Sequence, residues 1–395
     1  MKYPESFYQS LETETNAIVD YWKNNSVDDE KGGFLGKRDY FNTIEHNANK
    51  GIILNTRLLW SFSTLQSHNT DYQLRDLAKR SFNYLENYFQ DKENDGLFWE
   101  LTADGEPLQT KKQIYAQAFG IYSLVEYYKI SQDENAKNWA ISLFNLIEKH
   151  ALDTKNEGYI EAFQEDWSPL TDVRLSEKDM NAEKTMNTHL HILEAYTALL
   201  QIHQDEKVTN ALKNLIRLFF DKFLNKDFNF ELFFDKKWNL ISDEISFGHD
   251  IEAAWLLIDA AREIQDKELI ELTENAAIKI ADRFLKLGYQ KGEGVYNELN
   301  RSTQKIDTDK HWWPQVEAMV GLHYAYQLTN EDNYKNAIVD IWEFTQNNLI
   351  DRENGEWHFR VNQYNVPYEN EDKLSMWKAP YHNSRALINL LKDKP

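Results

Sequence analysis

Apolar residues recur at intervals of three and four along most of the chain, which is the spacing of amphipathic helices. In residues 246–259 (SFGHDIEAAWLLID), Ile251, Ala254 and Ile258 would share one face of a helix that begins near His249. Applied to the whole chain, this periodicity predicts twelve helices near residues 3–24, 47–67, 72–90, 111–130, 133–150, 180–203, 206–225, 247–264, 267–287, 313–328, 331–349 and 379–392.

A turn followed by aromatic residues recurs between the predicted helices, at intervals of roughly sixty residues. Its copies are DDEKGGFLG (28–36), DKENDGLFWE (91–100), DTKNEGYIEA (153–162), DFNFELFFD (227–235), KGEGVYNE (291–298) and DRENGEWHFR (351–360). The chain is therefore predicted to consist of six repeats of two helices each. Such repeats bury their apolar faces against their neighbours, in an open superhelix or in a closed ring.

The second helix of each pair favours the closed ring, because it opens with polar and aromatic residues. These are Asn55 and Arg57, Tyr115 and Gln117, Asn187 and His191, His249 and Glu252, Trp312 and Trp313, and Tyr381 and His382. The first helices, such as LKNLIRLFFDKFL (212–224), have an ordinary packing pattern. We therefore predict an all-α (α/α)6 barrel with inner and outer rings of helices. It forms one domain over residues 1–395, with short β-hairpins in the loops at one end and the functional site on the axis.

Composition narrows the class of protein and its partners. A net charge of −21 disfavours binding to nucleic acid or to anionic membranes. No run of eighteen apolar residues exists, and the amino-terminal MKYPESFYQS lacks signal-peptide features, so we expect a cytoplasmic protein without membrane contact. The absence of cysteine excludes disulfides, thiolate metal sites and a cysteine nucleophile. The oligomeric state, monomer or homodimer, stays open.

Histidines near predicted helix starts are the first candidates for chemistry. The helix dipole disfavours protonation of His249 and His382, so each is suited to act as a neutral base. His191 shares a helix face with Asn187, whereas His189 points elsewhere and is interpreted as structural. The alternative interpretation is that these histidines are buried packing residues or helix caps.

Tryptophans form the second group of candidates. Trp312 and Trp313 precede a helix whose first turn contains Pro314, and Trp377 stands just before the last helix. Flat aromatic faces suit the C–H-rich faces of sugar rings, and Glu317, one turn further, would bind hydroxyl groups. Core packing is the alternative for any one of these tryptophans.

Five segments together resemble the cellobiose 2-epimerases of the N-acylglucosamine 2-epimerase superfamily. They are NTRLLWSFS (55–63), NTHLHILEAYT (187–197), FGHDIEAAWLL (247–257), WWPQVEAMVG (312–321) and WKAPYHNSRA (377–386). The resemblance extends over nearly the whole chain. It implies an (α/α)6 barrel and cofactor-free inversion at C2 of a reducing-end sugar.

Matching these motifs assigns roles by resemblance. The proton-transfer histidines fall on His249 and His382. Residues that order the sugar and stabilise an enediolate fall on Arg57, Asn187, His191 and Glu252. The aromatic platform falls on Trp312, Trp313 and Trp377, with a further carboxylate at Glu317 and a less distinctive match at Tyr115. Lys378 and Ala379 stand where relatives vary, so substrate preference can differ there.

The chemistry of this assignment is consistent with the residue types. Inversion next to an aldehyde needs a base whose pKa is near the working pH, which histidine provides, and a cation for the oxygen of a cis-enediolate, which Arg57 provides. His382 or Glu252 would carry the proton for ring opening. We expect cellobiose as substrate, with lactose and mannobiose also accepted; preference for mannobiose, N-acylglucosamine or a monosaccharide stays open.

Three other functions compete with this hypothesis. A glycoside hydrolase on the same barrel would use Glu252 and Glu317 as its carboxylate pair, but would leave the histidines without a role. A metal isomerase lacks HxxxH or HExxH spacing, although His189 and His191 permit no firm exclusion, and we expect neither metal nor cofactor. A sugar-binding protein would explain the tryptophans alone.

Overall fold

The computed structural model describes residues 3–394, in which twelve α-helices are joined alternately by long connections, which contain the strands, and by short turns. Two of them, α3 and α7, continue into π-helical segments at Leu85–Phe89 and Phe219–Phe223, and a 3-10 turn lies at Thr70–Tyr72. The α-helices are Glu5–Asn25 (α1), Ile52–His68 (α2), Arg75–Tyr84 (α3), Ile114–Ser131 (α4), Glu134–His150 (α5), Met186–Ile202 (α6), Glu206–Leu218 (α7), Phe247–Ile264 (α8), Lys267–Leu287 (α9), Trp312–Thr329 (α10), Asp332–Asn348 (α11) and Tyr381–Leu391 (α12).

The even-numbered helices form a closed inner ring. Each packs against the next from α2 to α12, and α12 in turn packs against α2. Inner helices are buried nearly all round, whereas an outer helix such as α7 buries only one apolar stripe. The predicted (α/α)6 barrel is confirmed.

The strands lie at the end of the barrel where the inner helices begin, as the sequence predicted for the hairpins. Within residues 3–394 they form six small antiparallel sheets. They are Lys50–Gly51 (β1), Glu100–Leu101 (β2), Pro107–Gln109 (β3), Lys112–Gln113 (β4), Ala162–Phe163 (β5), Lys184–Thr185 (β6), Phe233–Phe234 (β7), Glu244–Ser246 (β8), Tyr289–Gln290 (β9), Gly294–Val295 (β10), Glu298–Asn300 (β11), Lys305–Asp307 (β12), Lys310–His311 (β13) and Arg360–Val361 (β14). Five of them, β1, β4, β6, β8 and β13, directly precede an inner helix.

Several predicted helix boundaries differ from the observed ones. The helix predicted at 180–203 begins only at Met186, because residues 184–185 pair with β7 as a strand. The helix predicted at 47–67 begins at Ile52 for the same kind of reason, since β1 occupies residues 50–51. In the described part of the chain no helix has the length and apolarity needed to cross a bilayer.

Four of the six repeated turns are anchored by buried lysine–aspartate pairs. In each, an aspartate accepts backbone N–H groups two and three residues further on, and also pairs with a lysine close in sequence to the next inner helix. The pairs are Asp28–Lys50 (2.8 Å), Asp91–Lys112 (2.6 Å), Asp153–Lys184 (3.1 Å) and Asp351–Lys373 (2.7 Å). These contacts fix where the inner helices start.

Replacement of Lys112 with methionine is expected to lower the free energy of unfolding by about 3–5 kcal/mol. The reason is that the Asp91 side chain, only 2% exposed, would lose its cationic partner and keep only the two backbone N–H groups that it accepts. Urea denaturation measures the loss. Arg262→Met breaks a partly exposed pair with Glu274 and is the control, with an expected change below about 1 kcal/mol. Equal losses in the two variants would contradict the prediction.

Candidate active site

The sixth residue of each inner helix points towards the barrel axis, and these residues form the floor of the candidate site. Neighbouring members contact one another: the Arg57 guanidinium lies 4.7 Å from the centre of the Phe119 ring, whose centre lies 4.7 Å from that of His191. In α12 the corresponding position, counted from the capping Pro380, is Arg385. The six residues are Arg57, Phe119, His191, Glu252, Glu317 and Arg385.

His382 lies in the first turn of α12, at one side of the floor. Its Nδ1 donates a hydrogen bond to Oε1 of Glu317 at 2.7 Å, which leaves Nε2 as the basic nitrogen. Burial lowers the pKa of His382 well below the usual value, and the positive charges of Arg57 and Arg385 lower that pKa further. The imidazole is therefore neutral at physiological pH.

His249 holds the equivalent position in α8. Burial, together with the charge of His191, lowers the pKa of His249 to about 3, so this imidazole is also neutral. Its Nδ1 lies 2.8 Å from the hydroxyl of Ser246, which can donate or accept a hydrogen bond. Nε2 of His249 is thus able either to accept or to carry a proton.

Trp313 contacts both imidazoles. Its ring centre lies 4.8 Å from that of His249 and 5.5 Å from that of His382. Gly248 permits this approach, because a Cβ atom there would lie 2.5 Å from the Trp313 ring. The two histidines therefore adjoin a common aromatic surface.

Arg57, Tyr115 and His191 form the opposite side of the site. Arg57 donates from Nη2 to the Tyr115 hydroxyl at 2.9 Å and from Nη1 to the backbone oxygen of Trp377 at 3.3 Å. Nδ1 of His191 donates to Glu194 at 2.9 Å, and its ring packs on Tyr115 at 4.9 Å. Nε of Arg57 is buried and has no partner within residues 3–394. This side of the site therefore offers donors to a developing negative charge.

Two buried carboxyl groups lie beside His382. Burial, with the nearby charge of Glu317, raises the pKa of Glu252 to about 7. Burial also raises the pKa of Glu317. Near neutral pH, Glu252 can therefore both give and take a proton.

The remaining predicted residues lie around this centre. Trp377 is half-buried, with its ring 6.1 Å from that of Tyr115. Trp312 is 3% exposed and packs against Phe359 at 4.6 Å, so its ring lies beneath the site and Trp313 presents the accessible surface. Asn187 and His249 line a cavity of about 80 Å³ under the loop formed by residues 173–182.

His189 lies apart from these residues, in agreement with its structural interpretation. Its Nε2 accepts a hydrogen bond from the backbone N–H of Tyr159 at 2.8 Å, and its Nδ1 donates to the backbone oxygen of Thr185 at 2.6 Å. Both ring nitrogens are used in holding a loop.

Three residues that support the site, Tyr381, Glu194 and Arg385, received no role from the sequence, although Tyr381 stands among the residues that open the inner helices. Tyr381 donates to Glu194, and the guanidinium of Arg385 contacts both of them. A usable signal existed for Arg385, because it holds the same repeat position as Arg57 and His191. For Glu194 the sequence offers only its position three residues after His191, which places both side chains on one face of the helix.

Glu252, Glu317 and His382 have potential metal-ligand atoms within 4.8 Å of one another. However, Nη2 of Arg385 donates to Glu252 at 2.5 Å and to Glu317 at 2.7 Å. The guanidinium already supplies positive charge to this cluster, and a metal ion beside it would be repelled. The donor set therefore favours an ion-pair network over a metal site.

Comparison with known proteins assigns the chain to a family. The family model for N-acylglucosamine 2-epimerase (GlcNAc 2-epimerase) matches residues 33–386. The chain belongs to this family. The family resemblance predicted from the sequence is confirmed.

Relatives in this family match the chain over nearly its full length. A cellobiose 2-epimerase of Bacteroides fragilis is 41% identical over 391 residues, which cover 98% of this chain and 100% of the relative. One of Dictyoglomus turgidum is 36% identical over 95% of this chain and 96% of the relative. The structure of cellobiose 2-epimerase from Bacillus thermoamylovorans superposes with a TM-score of 0.93 at 35% identity, and covers 98% of this chain and 100% of that one.

Proposed function

We propose that this protein epimerises C2 of the reducing-end sugar of β-1,4-linked disaccharides, cellobiose among them, without a cofactor. The observation that carries the proposal is the pair of neutral imidazoles, the half-buried His249 and the buried His382, on either side of Trp313. The similarity to cellobiose 2-epimerases over the whole chain supports the same reaction. Lactose and mannobiose are further expected substrates.

The two histidines act on opposite faces of C2 in the open-chain sugar. Nε2 of one imidazole takes the C2 proton, the electron pair forms the C1–C2 double bond, and the carbonyl oxygen becomes the anionic oxygen of a cis-enediolate. The other imidazole, which is neutral at rest, first takes a proton from the protonated carboxyl of Glu252, and it then donates its Nε2 proton to the second face of C2 while the carbonyl re-forms. The reverse reaction exchanges these two roles.

Arg57 and His191 stabilise the enediolate oxygen. Arg57 stays charged at every relevant pH, and its partners Tyr115 and Trp377 hold its planar donors in place. Preorganised donors of this kind favour the charged intermediate over the neutral substrate. His191, oriented by Glu194, adds a second donor.

Before C2 becomes acidic, the sugar ring must open. Glu252 suits the proton transfer of this step, because its pKa of about 7 lets it give and take a proton near neutral pH. Trp313 and Trp377 provide aromatic faces for the sugar rings.

NMR of cellobiose incubated with the protein in heavy water tests the proposal. We expect a mixture of glucosyl-glucose and glucosyl-mannose with deuterium at C2 of both. Lactose, mannobiose and N-acetylglucosamine in separate tubes define the substrate range. Release of monosaccharides would instead indicate a hydrolase, loss of activity on chelation would indicate a metal isomerase, and unchanged sugar would indicate a binding protein.

A further inference from the structure

Arg385 is the most highly connected charged residue of the barrel axis. Its Nη2 donates to Oε1 of Glu252 and to Oε1 of Glu317, and its Nη1 donates to Oε1 of Glu194. These carboxylates come from three other inner helices, α8, α10 and α6. The side chain is 3% exposed. One guanidinium thus joins four of the six inner helices beneath the site.

Two of these carboxylates also hold histidines of the site. Glu317 uses the same Oε1 for Arg385 and for Nδ1 of His382, whereas Glu194 binds Arg385 through Oε1 and His191 through Oε2. A carboxylate that accepts from Nδ1 fixes the tautomer, so that Nε2 is left as the basic nitrogen. The orientation of both rings therefore depends on where the two carboxylates are held.

We propose that Arg385 is a positioning residue that sets the orientation and tautomer of His382 and His191 through Glu317 and Glu194. This role deepens the proposed function and rests on it. Arginine is required because its planar fork donates from two nitrogens to carboxylates on different helices, whereas a lysine ammonium is a single point of charge. Nη1 and Nη2 of Arg385 both bind protein groups beneath the site, so the proposed role is to position other residues and not to contact the sugar.

Arg385→Lys is the first test, because it keeps the positive charge and removes the planar guanidinium that donates from two nitrogens. We expect kcat for epimerisation to fall about 10²-fold, since small displacements of catalytic groups have effects of this size. KM should change less than kcat, because Trp313 and Trp377, which provide the aromatic faces for the sugar, make no hydrogen bond to Arg385. Arg262→Lys is the matched control, since Arg262 lines the same axial cavity as Arg385 but pairs with Glu274. This control should keep the kcat of the parent protein.

A second test uses Arg385→Ala and added guanidinium ion. Arg385 lines a cavity of about 500 Å³ between the carboxyl-terminal halves of the inner helices, on the side of the floor away from Trp313. Guanidinium ion can reach the vacated position through this cavity. We expect millimolar guanidinium chloride to restore a large part of kcat, and urea, which has a similar shape but no charge, to restore none. A merely structural role would not produce this difference.

The pH profile of Arg385→Ala provides an independent readout. His382 faces Glu317 from α10, Arg57 from α2, His191 from α6, and His249 and Glu252 from α8, besides Tyr381 and Arg385 on its own helix. Removal of the Arg385 charge favours protonation of His382, so the acid limb of kcat should move to higher pH. Guanidinium ion should move it back.

The outcomes separate this proposal from the proposed function. Parental kcat in Arg385→Lys, or no rescue of folded Arg385→Ala by guanidinium, would overturn the positioning role even if His382→Ala is inactive. Undiminished C2 exchange in both epimers with His382→Ala would overturn the proposed function itself. Circular dichroism and melting temperature show whether each variant is folded, and Arg385→Lys keeps the test decisive if Arg385→Ala is not.

Discussion

Replacement of His382 with alanine is expected to lower kcat for epimerisation about 10⁴-fold, the upper range for loss of a general base. Nε2 of His382 is the basic nitrogen on one face of the site, and the neighbouring carboxyl of Glu317 is tied to Arg385. His249 remains, so hydrogen exchange at C2 should persist for the epimer that His249 deprotonates and be lost for the other. NMR in heavy water, started separately from each epimer, measures both rates.

His249→Ala should show the mirror image of this pattern, with exchange retained only in the other epimer. His203→Ala is the matched control, because His203 lies at the carboxyl end of α6, far along the helix from His191, and is partly exposed. It should leave both rates unchanged. Undiminished exchange of both epimers in either His249→Ala or His382→Ala would refute two-histidine proton transfer.

Arg57→Met is expected to lower kcat by about 10²- to 10³-fold, the usual effect of removing a donor to a developing oxyanion. The methionine has a similar length but supplies no charge to the enediolate. KM should rise less than kcat falls, because the charge is needed chiefly after proton removal. Steady-state kinetics with cellobiose measure both constants.

Tyr115→Phe helps to interpret the Arg57 result. It removes the hydroxyl that accepts from Nη2 of Arg57 but leaves the charge itself. A smaller fall in kcat is therefore expected than for Arg57→Met. A fall in Tyr115→Phe as large as that in Arg57→Met would mean that orientation, and not charge, is the main contribution of Arg57.

Helix boundaries were predictable where the residues that start or end the helix are adjacent to it in the sequence. The observed α8 and α9 have the predicted bounds, and α9 is framed by the side-chain cap of Asp266 and by Gly288. The start of α6 was wrong because strand β6 pairs with β7, some fifty residues further along the chain. Pairing between strands so distant in sequence cannot be predicted from the hydrophobic periodicity of the paired residues. The π-helical ends of α3 and α7 also lay inside segments predicted as plain helix.

The residues of the candidate site were predictable only where they stand out from their neighbours in the sequence. His249, His382 and Arg57 stand out as polar residues at the starts of otherwise apolar helices. Arg385 follows three polar residues, His382, Asn383 and Ser384, so it does not stand out locally, and only the alignment of all six repeats marks it as a residue of the axis. His191 binds Glu194 in its own helix, but the carboxylate that His382 binds lies in α10, distant in sequence, and no local pattern encodes that pairing.

Closure of the inner ring by α12 has a consequence for biosynthesis. This helix completes the contact between α10 and α2, and it also carries His382 and Arg385. Because a ribosome releases the chain from its amino terminus, residues 381–391 emerge after the five inner helices with which they complete the ring. A nascent chain with five complete repeats therefore still lacks His382, the proposed proton-transfer group, and we expect epimerisation to begin only when the final helix docks.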